Sequence, residues 1–151
     1  MIKILNYSQD DLYDLARYVN KQAKAKGASE SEVEIDVDAG TSVSVRLKEL
    51  ESVTLNNDKS LSITVYFEKK RGIATTSDFS KEAIESCLNA ACDIAKFTGE
   101  DKAFGLASEK LFPKKEIELD LYHPFDDSQD AMIAKALVAE KAALSFDKRI
   151  N

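Results

Sequence analysis

The sequence predicts an α+β fold in which about three helices pack on an antiparallel-dominated sheet of about five strands. Three observations support this prediction. Apolar residues recur with helical spacing in three segments, apolar and polar residues alternate with period two between residues 33 and 76, and the links between the alternating segments are short. Short links favour an antiparallel meander, because parallel strands need crossover connections of a dozen or more residues.

Each predicted helix begins at or next to a serine. The helices are predicted from Ser8 to Lys26, from Lys81 to Phe97 after an N-cap at Ser80, and from Ser128 to Lys148. A serine hydroxyl stabilises a helix start because it accepts a hydrogen bond from an otherwise unpaired first-turn amide. The second helix carries an apolar stripe that we expect to face the sheet: Ile84, Cys87, Leu88, Ala91, Ile94 and Ala95.

Five strands are predicted from the alternation, around residues 33–37, 43–47, 53–55, 61–67 and 73–76. Turn-like residues separate them at Ala39-Gly40, Lys48-Glu49, Asn56 to Lys59 and Lys69 to Gly72. Period-two alternation predicts one buried face and one wetter face. Glu34, Asp36 and Asp38 fall on the wetter face, as do the turn-flanking Glu49 and Glu51, so we expect these acids to be solvated.

The length of 151 residues suits one domain, and 44% hydrophobic with 32% charged residues is ordinary for a globular protein. We therefore predict a single domain over residues 1–151. It includes a less regular segment at residues 99–127, in which Pro113 and Pro124 bracket an acidic, partly extended piece, and a helix at residues 128–148. Because the final residues Arg149-Ile150-Asn151 read as the start of a further element, we also expect the native chain to continue.

The net charge of -6 and the sequence pI near 4.9 disfavour direct nucleic-acid binding, because phosphates would be repelled. The one compact basic run, Lys69-Lys70-Arg71, is interpreted as a solvated hairpin turn. No apolar run approaches membrane-spanning length, and the start of the chain is too short and polar for a signal peptide. We therefore expect a cytoplasmic protein without a membrane partner.

No residue pattern predicts a catalytic, cofactor or metal site in this chain. The single histidine, His123, lies among acids, whereas zinc sites need several nitrogen or sulfur ligands. Asp126, Asp127 and Asp130 lack the calcium-loop spacing and are interpreted as the acidic start of the third helix. Cys87 and Cys92, five residues apart on one helix, are predicted to be buried, reduced thiols.

Two further patterns are weaker still. The stretch Asn56 to Ser62 has no glycine, so it does not resemble a phosphate-binding loop. The hydroxyl residues have no basic neighbour in sequence that would make one a nucleophile, and strand formation or helix capping explains them: Ser42, Ser44, Thr75, Thr76 and Ser77.

The order of several short motifs after about Gly27 resembles the amino-terminal region of the TldD/PmbA family, and within it the PmbA (TldE) type. The motifs are Ser42 to Arg46, Glu49 to Val53, Ile63-Thr64-Val65-Tyr66, Gly72, Thr76-Ser77-Asp78, Ala83, Ala90 to Ala95, Thr98, Glu100-Asp101, Gly105-Leu106-Ala107, Asp120-Leu121-Tyr122, Pro124, Ala139-Glu140, Ala142-Ala143-Leu144, Asp147 and Arg149-Ile150. The sequence departs from the family where glycine is common, at Ser60 or Ser62 and near Lys48, and where proline is common, at Lys81.

The resemblance implies a function that the residues alone do not. TldD/PmbA proteins are cytosolic and form a heterodimeric metallopeptidase that trims unfolded peptides; they were also named as modulators of DNA gyrase and linked to peptide-antibiotic maturation and antitoxin degradation. The resemblance places the zinc-binding helix in the TldD-type subunit, in a region beyond residue 151. It therefore implies no catalytic residue, cofactor or metal in this chain.

We accordingly expect a noncatalytic structural and assembly region of a PmbA/TldE-like subunit, with a TldD-type protease subunit and unfolded peptides as partners. The alternative is a free-standing module that binds a peptide or protein at a sheet edge. An independent hydrolase using acidic residues is disfavoured because no convergent polar site is visible in the sequence.

Overall fold

The structure is a computed structural model that describes residues 3–4, 6–115, 117–121, 123, 127–147 and 149–150. Within these residues, three α-helices and five strands follow one another: β1 (Lys3–Ile4), β2 (Tyr7–Ser8), α1 (Gln9–Ala25), β3 (Glu30–Arg46), β4 (Glu49–Phe67), β5 (Lys70–Thr76), α2 (Lys81–Phe97) and α3 (Gln129–Phe146). A single 3₁₀ turn, Glu109–Leu111, precedes α3. The predicted α+β class is confirmed.

The main sheet has the order β3-β4-β5, and β1 and β2 form a separate antiparallel pair. Strands β4 and β5 are antiparallel, with Val65 opposite Gly72. Two predicted turns are wrong, because Ala39-Gly40 lies inside β3 and the stretch Asn56 to Lys59 lies inside β4. Sheet pairing along the hairpin overrides the weak turn preference of these residues.

The chain divides into two compact units that share the long hairpin. Unit 1 comprises Met1–Ala39 and Asn57–Lys114, and unit 2 comprises Gly40–Asn56 and Lys115–Asn151. The assignment of residues 1–151 to one domain stays a prediction.

Unit 1 contains a continuous apolar core between its helices and the sheet. Helix α1 contributes Val19 and Ala23, while β4 contributes alternate residues that are fully buried: Leu61, Ile63 and Val65. Helix α2 contributes six buried residues: Ile84, Cys87, Leu88, Ala91, Cys92 and Ala95. The predicted inward face of the fourth strand and most of the predicted helical stripe are therefore confirmed.

Gly72 sets how closely α2 approaches β5. A Cβ atom at this position would lie 1.9 Å from the carbonyl oxygen of Ala91 and 2.6 Å from the amide nitrogen of Ala95. Only a residue without a side chain permits this separation between helix and strand backbones. The buried face of α2 is therefore centred on Ala91 and Ala95.

One residue of the predicted α2 stripe lies outside the core. Ile94 is 46% exposed, whereas Cys92, which was not placed in the stripe, is 5% exposed. Because the backbone contact is centred on two alanines, the buried face turns toward Cys92 and leaves Ile94 at its margin. The assignment of Ile94 to the core is wrong.

The junction between β5 and α2 is a short series of side-chain caps. The amide of Asp78 donates to the Thr76 hydroxyl at 3.1 Å, and the amide of Ser80 donates to the Asp78 carboxylate at 2.8 Å. The Ser80 hydroxyl then accepts from the Ala83 amide at 3.4 Å, which confirms the predicted N-cap. The amide hydrogen bond from Ser80, the largest cause, lowers the pKa of Asp78.

Helix α1 is fixed at its start and at one flank. Ser8 is its N-cap, as predicted, and forms a capping box with Asp11. The Tyr18 hydroxyl donates to the Glu85 carboxylate at 3.1 Å, so this flank of α1 faces α2. The Ser31 hydroxyl donates to the Asn20 side-chain oxygen at 2.7 Å, so the opposite flank faces β3.

Unit 2 has a different character, because none of its described residues is buried. The hairpin turn falls at Leu47 and Lys48, with φ of 53° and 69°, one residue before the predicted turn. The Lys48 amide donates to a Glu140 carboxylate oxygen at 2.9 Å. Helix α3 ends at Phe146, and Lys148, its predicted end, lies outside the described residues.

Candidate functional site

The unit 1 part of the edge strand β3, residues 30–39, is the candidate functional site. The whole strand spans 17 residues, and β4 is its only neighbour in the described part of the sheet. The opposite edge, β5, has only seven residues. An edge strand presents backbone donors and acceptors that can pair with another extended chain. A long edge strand is therefore a candidate binding surface.

A groove opens between α1 and the inward face of β3. It has a volume of about 300 Å³ and is lined by Gln9, Leu12, Tyr13, Ala16, Val33 and Ile35. Its walls are mainly apolar, while the Tyr13 hydroxyl accepts from the Gln9 side-chain amide at 3.3 Å near the rim. The sequence reasoning missed this groove because α1 and β3 meet only in three dimensions.

The other face of β3 carries a row of exposed acids. Glu32, Glu34, Asp36 and Asp38 alternate with half-buried apolar residues, and the prediction that Glu34, Asp36 and Asp38 lie on the wetter face is confirmed. Asp36 accepts a hydrogen bond from the Ser60 hydroxyl at 3.5 Å, and no described cation forms a salt bridge with any of the four. These four carboxylates form a solvated acidic row along the edge strand.

The basic run differs from its predicted conformation, because the turn is at Glu68 and Lys69 while Lys70 and Arg71 belong to β5. The Lys69 ammonium donates to the carbonyl oxygen of Phe104 at 2.9 Å. The Arg71 guanidinium lies 4.5 Å from the centre of the Phe104 ring. Two of the three cations therefore fasten the segment after α2 to the sheet.

The acids and histidine of unit 2 are dispersed. His123 is exposed, and its Nε2 atom lies 2.7 Å from the backbone oxygen of Asp120. Asp127 pairs with Lys135, Asp130 lies in the first turn of α3, and Asp126 lies outside the described residues. In the described part of the chain, no three residues of the metal-binding types come together.

The two cysteines are buried in the core of unit 1 as free thiols, as predicted. Their exposed fractions are 7% for Cys87 and 5% for Cys92. Burial, the largest cause, raises the pKa of both thiols. A thiol kept neutral inside a core is a poor nucleophile, so both residues are structural.

The remaining sequence candidates are also structural. The Thr75 hydroxyl donates to the Ser62 hydroxyl at 3.3 Å across β4 and β5, and Thr76 caps the junction to α2. Over the described residues, no helix combines the length and apolar character that crossing a membrane requires.

Comparison with known proteins relates the chain to one family. The family described as PmbA/TldA metallopeptidase domain 1 matches residues 32–95. The Metalloprotease PmbA of Escherichia coli O157:H7 is 42% identical over 106 residues, which cover 70% of this chain and 24% of that protein. The chain spans about a quarter of the length of the curated relatives it matches.

Two solved structures share the fold. A candidate modulator of DNA gyrase from Bacteroides thetaiotaomicron has a TM-score of 0.81 and 21% identity, and the match covers 94% of this chain and 32% of that one. TldE from Thermococcus kodakarensis has a TM-score of 0.66 and 21% identity, covering 91% and 30%. The sequence matches place the chain in the TldD/PmbA family, where it corresponds to the amino-terminal region of the PmbA (TldE) type.

Proposed function

We propose that this chain is the noncatalytic amino-terminal structural and assembly region of a PmbA/TldE-like subunit. It works in the cytoplasm with a TldD-type metalloprotease subunit, and the complex acts on unfolded peptides. The name of the Escherichia coli relative, a metalloprotease, supports the link to proteolysis. In this proposal, the TldD-type partner binds the zinc, and this chain provides a surface that contacts the partner.

The exposed apolar surface of unit 2 carries this proposal. Its described residues include several large apolar side chains that are more than half exposed: Leu47, Leu55, Ile117, Leu119, Leu121, Val138 and Phe146. Exposed apolar area is costly in water, and concentrations of it mark surfaces that contact other protein. Unit 2 is therefore the proposed assembly surface.

Two phenylalanines offer a matched test of this surface. Phe146, at the end of α3 in unit 2, is 88% exposed, and Phe97, at the end of α2 in unit 1, is 91% exposed. We expect Phe146→Ser to weaken binding to the TldD-type subunit of the same organism, measured by calorimetry, and Phe97→Ser to leave it unchanged. Equal effects of the two changes would contradict the proposed surface.

Peptide cleavage tests the noncatalytic role. The chain, the TldD-type subunit and their mixture are each incubated with an unstructured peptide in the presence of zinc. We expect cleavage only where the TldD-type subunit is present. Cleavage by this chain alone, surviving repurification and lost on a point substitution within it, would contradict the proposal.

The proposed absence of a direct nucleic-acid contact is tested separately. The net charge of -6 opposes phosphate binding, and Lys69 and Arg71 already contact Phe104. We expect no measurable affinity for duplex DNA at physiological salt. Tight, salt-sensitive binding that disappears when Lys69, Lys70 and Arg71 are neutralised would overturn this part of the proposal.

A second candidate function is a binding module that captures a peptide or protein at a sheet edge. The observation that favours it is the 17-residue edge strand β3, which has no second neighbour in the described sheet. Strand addition uses such an edge for affinity and the neighbouring side chains for specificity.

A further inference from the structure

We propose that the edge of β3 binds an extended polypeptide segment in which apolar and basic side chains alternate. This inference deepens the sheet-edge function and rests on it. The bound segment adds a strand beside β3 in unit 1, with its apolar side chains toward α1 and its basic side chains toward the acidic row.

The groove beside α1 accounts for the preference for apolar side chains in the bound segment. Val33 and Ile35 are half-buried on the inward face of β3, and Leu12 and Ala16 stand across the groove from them. Every second side chain of an added strand points to this same face. Apolar side chains there would leave water by entering the groove, which stabilises the complex.

The acidic row accounts for the preference for basic side chains. Glu34 and Asp36 lie on the outward face of β3, with Glu32 and Asp38 on either side, and all four are exposed. Directly opposed residues on neighbouring strands lie close enough for opposite charges to attract and like charges to repel. The row therefore favours lysine or arginine on the outward face of an added strand.

The same charges disfavour antiparallel pairing with a second copy of this chain. If two β3 strands paired edge to edge in the antiparallel sense, both acidic rows would share one face of the joined sheet. The four acids on each strand would then face one another without a described cation between them. Such pairing is destabilised by like charges, and an acidic edge is a known protection against self-association.

The test uses fluorescence anisotropy with labelled ten-residue peptides. One peptide alternates valine and lysine, and a second replaces every lysine with glutamate. We expect binding of the lysine peptide that weakens with added salt, and at least about tenfold weaker binding of the glutamate peptide. Equal affinity for the two would overturn the proposed chemistry while leaving the sheet-edge function standing.

Backbone pairing is tested on the peptide, so the protein fold is undisturbed. The amide groups of an added strand point alternately toward β3 and away from it. Methylation of alternate amide nitrogens of the lysine peptide therefore has two phases, one on the valines and one on the lysines, and only one of them removes the donors that face β3. We expect one phase of methylation to abolish binding and the other to preserve it. Retained affinity in both phases, or no binding of any peptide, would overturn the proposal, and the latter result would also overturn the sheet-edge function.

The site is located with charge variants. Glu34→Gln with Asp36→Asn should weaken binding of the lysine peptide by about two- to thirtyfold. Glu100→Gln with Glu109→Gln removes the same charge from exposed positions elsewhere in unit 1 and should change it less than twofold. Amide chemical-shift changes on peptide addition should concentrate in residues 31–38, and changes confined to other elements would contradict the assignment.

Discussion

Units 1 and 2 differ in where they place their apolar side chains. Unit 1 buries residues from α1, β4 and α2 in one cluster, and several of them have no exposed surface. Nine large apolar residues of unit 2 are exposed, and none of its described residues is buried. Burial contributes roughly 25 cal/mol per Å² of apolar area, so the intrinsic stability of the chain resides in unit 1.

This difference separates two uses of the same residue types. Leu88 in α2 is 1% exposed and contributes to folding, whereas Val138 in α3 is 68% exposed and contributes little to it. Apolar residues that do not stabilise the fold have a cost in solubility, which favours a role in contact with other protein. The following predictions test this contrast, from the largest expected effect to the smallest.

Adding one methyl group at Gly72 should produce the largest effect. The new Cβ atom would lie 1.9 Å from the Ala91 carbonyl oxygen, and backbone atoms on both sides cannot move independently. We expect Gly72→Ala to lower the free energy of unfolding by about 3 kcal/mol or more, measured by chemical denaturation.

Gly40, in the unit 2 part of β3, is the matched control. Apart from its chain neighbours, no atom of the described residues lies within 4 Å of the position that its Cβ would take. Gly40→Ala should leave stability unchanged or raise it by up to about 1 kcal/mol, because alanine restricts the unfolded chain. A loss from Gly40→Ala as large as that from Gly72→Ala would contradict the difference between the units.

Side-chain truncation in α2 should cost more stability at a buried residue than at one on the margin of the buried face. Leu88→Ala should cost about 2–5 kcal/mol, because the residue is fully buried and the cavity cannot collapse completely. Ile94→Ala, on the same helix and 46% exposed, should cost less than about 1 kcal/mol. Similar losses for both in urea titrations would mean that the buried face of α2 is wider than described.

The two N-cap serines compare the units through the same chemistry. Ser80 accepts from the Ala83 amide at the start of α2, and Ser128 accepts from the Ala131 amide at 3.2 Å at the start of α3. Each change to alanine should weaken its helix by about 1 kcal/mol. We expect Ser80→Ala to lower the global unfolding midpoint and Ser128→Ala to alter only amide exchange within α3.

Alkaline pH should produce the smallest effect. Burial raises the pKa of Cys87 and Cys92 above the unfolded value, so folding disfavours their thiolates. Their contribution to stability is complete below the unfolded pKa and is lost as pH rises through the folded pKa. Cys87→Ala with Cys92→Ala should reduce this alkaline loss, measured as unfolding free energy between pH 7 and pH 10, and an unchanged pH dependence would contradict it.

The sequence predicted the helices and the fold class well because their signals are local. Serine caps and apolar spacing located α1 and α2 to within about one residue, since a cap and the first turn are neighbours in the chain. The long strands were not predicted, because Ala39-Gly40 and the stretch Asn56 to Lys59 resemble turns locally. Pairing with a distant strand decides their conformation, and it leaves no local signal.

The candidate site was predicted only in part, for the same reason. The alternation around Glu34 and Asp36 placed the acidic row on the solvent face, and the structure confirms it. Predicting the groove would have required knowing which flank of α1 faces β3. That orientation depends on contacts between distant residues, such as those of Tyr18 and Asn20.

Amide hydrogen exchange of α2 and α3, measured for the chain alone and with the TldD-type subunit, tests the central contrast most directly. Amides of a core element exchange only on global unfolding, whereas those of a weakly buried element exchange through local opening. We predict strong protection of α2 in both samples, and weak protection of α3 that rises when the partner is added. If α3 is as protected as α2 in the chain alone and does not change with the partner, the proposed roles of the two units are contradicted.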